Sequence, residues 1–128
     1  MANKKGSKKV TIMLSDEELD LFKKDMKLRR VYKHGYIIAL FEYKYEQCKI
    51  DDIYCTVYSK EIYKGIERNN KLIFYVDEKE IKMLKELEQY IPYVTHVIYD
   101  YFYDNKECIK HDYEEGIYYE DNITEFDY

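Results

Sequence analysis

Four lysines lie immediately before or at the start of a short apolar stretch near the beginning of the chain. A lysine side chain carries a positive charge and three hydrogen-bond donors, so such a cluster favours binding to a negatively charged partner. An alternative interpretation is that the lysines only solubilise an exposed edge strand. The lysines are Lys4, Lys5, Lys8 and Lys9, and the apolar stretch is Val10 to Leu14.

Negative charge dominates the remainder of the chain. Residues 1–50 contain 12 Lys and Arg against 7 Asp and Glu, a net charge of +5, whereas residues 51–128 contain 9 against 19, a net charge of −10. This uneven distribution predicts one face for an anionic partner and another face for a different partner.

No catalytic motif accompanies these residues. The G-x-S-x-G, P-loop and H-E-x-x-H patterns are absent, and His34, His96 and His111 are isolated from any Ser, Cys or Asp constellation. We therefore expect no enzymatic activity. A zinc site is an alternative that the spacing disfavours, because structural zinc sites use closer Cys pairs, so no metal and no cofactor is expected. Its ligands would be Cys48, Cys55, Cys108 and His111.

Length and composition indicate one largely helical domain. The 128 residues suit a single compact domain, and 4 Gly with 1 Pro are too few for a fold built on tight β-turns. No apolar run is long enough to cross a membrane, and the N-terminus has no apolar segment. We expect a cytoplasmic protein that does not insert into a membrane.

An internal repeat organises the chain. An offset of 62 residues aligns VTIMLSDEELDLF, which starts at Val10, with LIFYVDEKEIKML, which starts at Leu72. Alternating apolar residues predict a strand with one buried face in each copy. Ser15-x-x-Glu18 and Asp77-x-x-Glu80 have the capping-box spacing that begins a helix. The predicted inward residues are Val10, Ile12, Leu14, Leu72, Phe74 and Val76.

Two helices are predicted after each strand. The second of them, ALFEYKYEQ in one copy and VIYDYFYDN in the other, aligns at an offset of 58. The smaller offset predicts that the turn between the helices is four residues shorter in the second copy, where Pro92 ends one helix and can start the next. The core-facing residues predicted for the first helices are Leu19, Phe22 and Met26, and Ile81, Leu84, Leu87 and Ile91.

One strand and two helices cannot bury a sufficient core alone. The two strands are therefore expected to pair antiparallel above interlocking helices, giving a mostly α fold with a two-stranded antiparallel β-ribbon. The predicted parts are a basic arm at 1–9, repeat 1 at 10–47, a connector at 48–70 with a short helix near Ser59–Glu67, repeat 2 at 71–105 and an acidic, Tyr-rich tail at 106–128.

The segment from Lys9 to Ser15, followed by Leu19 and Phe22, resembles the ribbon-helix-helix family of DNA-binding proteins, the Arc- and MetJ-type repressors. The segment from Lys71 to Asp77, followed by Ile81 and Leu84, resembles the family less closely. The likeness covers the two repeats but not the connector or the tail. Family members are usually homodimers, so the resemblance implies a tandem ribbon-helix-helix protein, an intramolecular pseudo-dimer.

The resemblance implies a sequence-specific double-stranded DNA-binding protein, a small transcriptional regulator or repressor whose ribbon lies in the major groove. Outward residues of the strands would contact bases, while the second helices and the basic arm would contact phosphates. The implied base contacts are Lys9, Thr11, Met13, Lys71, Ile73 and Tyr75. The implied phosphate contacts are Lys4, Lys5, Lys8, Lys33, His34 and Thr95.

Repeat 2 fits this pattern less well, because Ile73 and Tyr75 offer few hydrogen bonds and lie in acidic surroundings. It either reads thymine-rich DNA through apolar contacts or only completes the fold. A diverged pair of repeats should prefer an asymmetric site.

Two alternative functions stay open: a plasmid-partition adaptor or antitoxin whose 106–128 tail binds a partner protein, and a protein-interaction module that has lost DNA binding. Further self-association on DNA also stays open.

Overall fold

A computed structural model describes residues 7–51, 65–91 and 93–117 of the chain. These residues are mostly helical and contain one two-stranded antiparallel sheet, which confirms the prediction of a mostly α fold with two antiparallel strands. In chain order the elements are β1 (Lys8–Leu14), α1 (Asp16–Arg29), α2 (Lys33–Asp51), β2 (Asn70–Val76), α3 (Glu78–Tyr90) and α4 (Thr95–Glu115).

The two strands pair in the orientation that the sequence predicts. β1 runs antiparallel to β2, with Thr11 opposite Ile73 at the centre and Lys8 opposite Val76 at one end. Successive side chains of a strand point to opposite faces, so every second residue faces the helices. The predicted inward set is confirmed: Val10 is half-buried, while Ile12, Leu14, Leu72, Phe74 and Val76 are buried in the core.

Both predicted capping boxes are present. The amide of Glu18 donates to the Ser15 hydroxyl at 3.1 Å, and the amide of Ser15 donates to the Glu18 carboxylate at 2.8 Å. Asp77 and Glu80 exchange the same two bonds, each at 2.9 Å. Each box satisfies backbone donors that a helix start leaves unpaired, which contributes about 1 kcal/mol and fixes where α1 and α3 begin.

The predicted alignment of the second helices is wrong by about one helical turn. Three residues (30–32) separate α1 from α2, and four (91–94) separate α3 from α4, so the second turn is not four residues shorter. The buried positions of α2 and α4 are 61 residues apart, not 58. Five pairs are buried in both helices, namely Tyr36, Ile37, Leu40, Phe41 and Cys48 in α2 with Val97, Ile98, Tyr101, Phe102 and Ile109 in α4. The sixth buried residue of α2, Ile38, corresponds to Tyr99, which is half-buried. A slip of three residues is close to one turn, so helical periodicity alone could not separate the two offsets.

The helices interlock beneath the sheet. α1 packs mainly against α4 and α2 against α3, while α2 also contacts α4. The helices that follow one strand therefore share a single core with the helices that follow the other. Most of the predicted core-facing residues are confirmed: Phe22, Leu87 and Ile91 are buried, and Leu19, Met26, Ile81 and Leu84 are half-buried against the core.

A buried polar network joins α1, α2 and α4. Asp25 is completely buried and accepts hydrogen bonds from the hydroxyls of Tyr36 at 2.7 Å and Tyr101 at 2.6 Å. Arg29 donates from Nε to Asp25 at 3.0 Å and from a terminal nitrogen to the Tyr101 hydroxyl at 3.0 Å. Burial, reinforced by the Asp25 charge, raises the pKa of Tyr36 and of Tyr101, so both hydroxyls remain protonated donors.

The last helix extends beyond the predicted end of repeat 2. α4 continues ten residues past Asn105 to Glu115, and Ile109 is buried in the core. A boundary at residue 105 therefore does not coincide with the end of an element. Several predictions concern residues that the structure does not describe. These are Lys4, Lys5, Cys55, Pro92, residues 118–128 of the tail, and all but the last residues of the predicted short helix near Ser59–Glu67.

A carboxylate on α4 gives a pH-dependent prediction for stability. Burial, together with the charge of Asp104, raises the pKa of Asp100 from 3.8 to about 6, although Lys44 opposes the shift. Because the folded-state pKa lies above the unfolded one, ionisation of Asp100 lowers stability as the pH rises from about 4 to above 6. Asp100→Asn is expected to stabilise the protein by about 1 kcal/mol at pH 7.5, a value reduced for solvent exposure, and to have no effect near pH 4.

Urea unfolding of the wild type and Asp100→Asn at a series of pH values measures this difference. Glu107→Gln, a change at an exposed residue of the same helix, serves as the control for removing one negative charge. An Asp100→Asn advantage that stays constant between pH 4 and pH 7.5 would contradict the raised pKa.

Candidate nucleic-acid interface

The outer face of the ribbon carries all six residues that the resemblance assigns to base contact. β1 contributes Lys9, Thr11 and Met13, and β2 contributes Lys71, Ile73 and Tyr75. In the register of the sheet, Lys9 lies opposite Tyr75, Thr11 opposite Ile73, and Met13 opposite Lys71. The two lysines therefore occupy diagonal corners of this face, Tyr75 and Met13 occupy the other two corners, and the Thr11–Ile73 pair lies at the centre.

This face is exposed and carries no negative charge of its own. Lys9, Thr11, Lys71 and Tyr75 are exposed, whereas Met13 and Ile73 are half-buried between their neighbours. Neither strand contains an Asp or a Glu. Lysines supply hydrogen-bond donors and positive charge, and the apolar side chains supply contact area. This combination matches the acceptors and methyl groups that base edges present in the major groove of DNA.

Contacts from the helices hold the ribbon from behind. The Tyr99 hydroxyl of α4 donates to the backbone carbonyl of Met13 at 2.9 Å. Burial raises the pKa of Tyr99, although the positive charge of Arg68 opposes this, so the hydroxyl keeps its proton. At the adjoining end, the Asn70 side-chain amide donates to the Leu14 carbonyl at 3.1 Å and to Asp16 at 2.8 Å. The backbone of β1 is thereby fixed relative to the core.

Arg68, which the sequence analysis did not single out, supports the same end of the ribbon. Its guanidinium makes two parallel hydrogen bonds to the Glu18 carboxylate, at 2.9 and 2.8 Å. It also lies 3.9 Å from the centre of the Tyr99 ring, a cation–π contact. The ion pair between Arg68 and Glu18 neutralises a capping carboxylate near the ribbon. No motif in the sequence predicts this ion pair.

The capping carboxylate of α3 also has a cationic partner when histidine is protonated. Glu80 lies 3.1 Å from Nε2 of His34, one of the residues assigned to phosphate contact. The contact joins the start of α2 to the start of α3, directly after β2 ends. His34 is therefore placed beside the ribbon, with one ring nitrogen already engaged by Glu80.

The starts of α2 and α4 differ in their backbone hydrogen bonds. In α2, the Tyr36 amide donates to the Tyr32 carbonyl at 2.9 Å. The amides of Lys33 and His34 precede this bond, in the first turn, where a helix has no backbone acceptor for its amides. In α4, which starts at Thr95, the next two amides already bond to the carbonyls of residues 93 and 94 at 3.0 Å. Both Lys33 and Thr95 stand at a helix start, as predicted.

The basic arm is described only in part. Lys8 is exposed at the first position of β1, and Lys4 and Lys5 lie outside the described residues. Lys8, Lys9 and Lys71 thus form the described positive charge of the ribbon.

The described residues contain no cluster of three or more His, Cys, Asp or Glu side chains suited to holding a metal ion. Cys48 is buried in the core and Cys108 is exposed on α4. Across the described ranges, every helix is either too short or too polar to cross a membrane.

No protein-family model, no curated protein and no solved structure matches this chain. Its function must therefore be inferred from its own residues and geometry.

Proposed function

We propose that this protein is a sequence-specific double-stranded DNA-binding protein, a small transcriptional regulator or repressor of the ribbon-helix-helix class. The observation that carries the proposal is the outer face of the ribbon, where six side chains with base-reading chemistry lie on one exposed surface without a carboxylate. A two-stranded ribbon fits the major groove of B-DNA, which is about 12 Å wide.

The pairing of the strands supports two fused ribbon-helix-helix repeats. At the sequence offset of 62, Thr11 corresponds to Ile73, and these two residues lie opposite each other in the sheet. A two-fold axis between antiparallel strands relates the residue at the axis to its opposite partner. The coincidence therefore supports an approximate two-fold axis through the Thr11–Ile73 pair, with Lys9 equivalent to Lys71.

The same geometry supports flanking phosphate contacts. The amides at the start of α2, with Lys33 beside them, offer both hydrogen-bond donors and the positive end of a helix dipole. Thr95 offers a helix start on the other side, although its hydroxyl also contacts the Tyr99 hydroxyl. Lys4, Lys5 and Lys8 would contact the DNA backbone. Because the start of α2 is basic and that of α4 is not, we expect unequal phosphate contacts on the two flanks. Because Thr11 and Met13 differ from their equivalents Ile73 and Tyr75, we expect an asymmetric base sequence inside the site.

Thr11 provides a test of base reading in which the ribbon stays intact. Thr11→Ala removes an exposed hydroxyl, and the lower strand propensity of alanine should reduce stability by no more than about 1 kcal/mol. Affinity for the preferred duplex should fall by about 3- to 10-fold, the equivalent of one hydrogen bond. Affinity for a scrambled duplex should not change, because non-specific binding depends on phosphates.

Fluorescence anisotropy on both duplexes at low and near-physiological salt measures these affinities, with Gln89→Ala on the exposed surface of α3 as the control. Wild-type binding should weaken steeply with salt, since phosphate contacts release counterions. An equal loss on the preferred and scrambled duplexes would reject base reading by Thr11. Absence of salt-dependent binding by the wild type would reject the proposed function.

A further inference from the structure

The register of the ribbon carries an inference about the DNA sequence itself. We propose that the preferred site contains two guanines on opposite strands, separated by three or four base-pair steps, with A·T pairs between them. One guanine lies under Lys9 and the other under Lys71. The inference rests on the proposed function and deepens it.

The spacing follows from the positions of the two lysines. Lys9 and Lys71 stand four residues apart along the ribbon and on different strands, because Lys71 lies opposite Met13. Four residues of antiparallel strand span about 14 Å, and paired strands lie about 5 Å apart. Successive base pairs rise by about 3.4 Å, and the path along the groove is slightly longer, so 14 Å corresponds to about three or four steps.

The base identities follow from the side chains on the outer face. Lysine donates hydrogen bonds to O6 and N7 of guanine, the base whose major-groove edge presents two acceptors. Thr11 and Ile73 lie midway between the two lysines, while Met13 and Tyr75 occupy the other two corners of the outer face. The methyl groups of Thr11 and Ile73 and the apolar surfaces of Met13 and Tyr75 suit the C5-methyl group of thymine. An approximate two-fold axis through the Thr11–Ile73 pair exchanges the two DNA strands, so the guanines lie on opposite strands.

A selection from duplex DNA with a random insert, followed by sequencing, first identifies the preferred site. The expected motif has a guanine at one end of one strand, a guanine at the opposite end of the other strand, and A·T pairs between. Each guanine is then replaced by 7-deazaguanine, which keeps Watson–Crick pairing and lacks the N7 acceptor. Each replacement should reduce wild-type affinity by about tenfold.

Variants assign each guanine to one lysine. Lys9→Met should become insensitive to 7-deazaguanine at one end while keeping the full loss at the other, and Lys71→Met should show the reverse. The control Lys82→Met, a change at an exposed residue of α3, should respond to both replacements like the wild type. A lysine that contacts phosphate instead would give a uniform loss on every duplex and a smaller salt dependence.

Three outcomes overturn the inference, and they differ in what else they reject. An enriched motif without spaced guanines rejects the base pattern and leaves sequence-specific binding intact. Variants Lys9→Met and Lys71→Met that both keep sensitivity to both guanines reject the assignment of the lysines. No enrichment, together with no salt-dependent duplex binding, rejects the proposed function as well.

Discussion

Replacing Asp25 by alanine is expected to destabilise the fold by about 3–5 kcal/mol, the largest effect on stability of any variant considered for this chain. The carboxylate is completely buried and accepts three hydrogen bonds, from Tyr36, Tyr101 and Arg29. Without it, two buried hydroxyls lose their acceptor, and the largely buried Arg29 loses the ion pair that offsets its burial. Burial alone would lower the pKa of Arg29, but Asp25 raises it above its ordinary value.

The same helix provides a matched control. Asp20 is exposed and forms an i,i+4 ion pair with Lys24 at 2.9 Å, so Asp20→Ala should cost no more than about 0.5 kcal/mol. Tyr36→Phe should cost about 1.5–3 kcal/mol, because it keeps the ring but removes one hydrogen bond to a buried carboxylate. Tyr101→Phe should cost more than Tyr36→Phe, because Arg29 also loses its bond to the Tyr101 hydroxyl. Urea unfolding at neutral pH measures all four variants. If Asp25→Ala were no more destabilising than Asp20→Ala, the network would not be a source of stability.

Reversing the charge of both ribbon lysines is expected to abolish DNA binding. In Lys9→Glu/Lys71→Glu, two carboxylates replace the positive charges at the diagonal corners of the outer face and meet phosphates and base acceptors with the wrong sign. Affinity for any duplex should fall by more than about 100-fold, because the loss adds missing contacts to repulsion. Both side chains point away from the core, so stability should change by less than about 1 kcal/mol.

A control variant with the same change in net charge distinguishes two causes of lost DNA affinity, namely loss of the ribbon contacts and a general effect of net charge. Lys82→Glu/Lys85→Glu places the same substitutions at two exposed positions of α3. This variant should bind the preferred duplex within about threefold of the wild type, since it leaves the outer face of the ribbon unaltered. Electrophoretic mobility shifts with both double variants make the comparison. Equal loss in the two would mean that overall charge, not the ribbon, governs binding.

Local rules were sufficient to predict the sheet and the helix starts. Alternation of apolar residues from Val10 to Leu14 and from Leu72 to Val76 identifies the buried face of each strand, because a strand has a side-chain period of two. The Ser15–Glu18 and Asp77–Glu80 pairs mark helix starts, because capping depends on residues only three positions apart. Antiparallel pairing followed from the need of a lone strand for a partner.

The long-range polar contacts could not be predicted in the same way. Asp25 lies beside Met26 and one turn after Phe22. An acidic residue next to the apolar face of a helix is ordinarily predicted to be exposed to solvent. Its partners Tyr36 and Tyr101 are 11 and 76 residues away and are brought together only by helix packing. Arg68 escaped notice for the same reason, since its partner Glu18 is 50 residues distant.

Two further sequence predictions were wrong: where α4 ends, and the offset that aligns α2 with α4. The apolar pattern of α4 continues through Ile109, but the acidic, Tyr-rich composition after Asn105 predicts a tail. Offsets of 58 and 61 differ by three residues, which is nearly one helical turn, so both keep apolar residues on one face. The helix starts, Lys33 and Thr95, are 62 residues apart, which excludes 58, and the buried positions of α2 and α4 match at 61.

The most direct test of sequence reading by the ribbon is a selection of duplexes from random DNA by the purified protein at near-physiological salt. The variant Lys9→Glu/Lys71→Glu is used in a parallel selection. The wild type should enrich a short asymmetric motif, and the double variant should enrich nothing. Failure of the folded wild type to enrich any sequence, or enrichment of the same motif by the double variant, would contradict sequence reading by the ribbon.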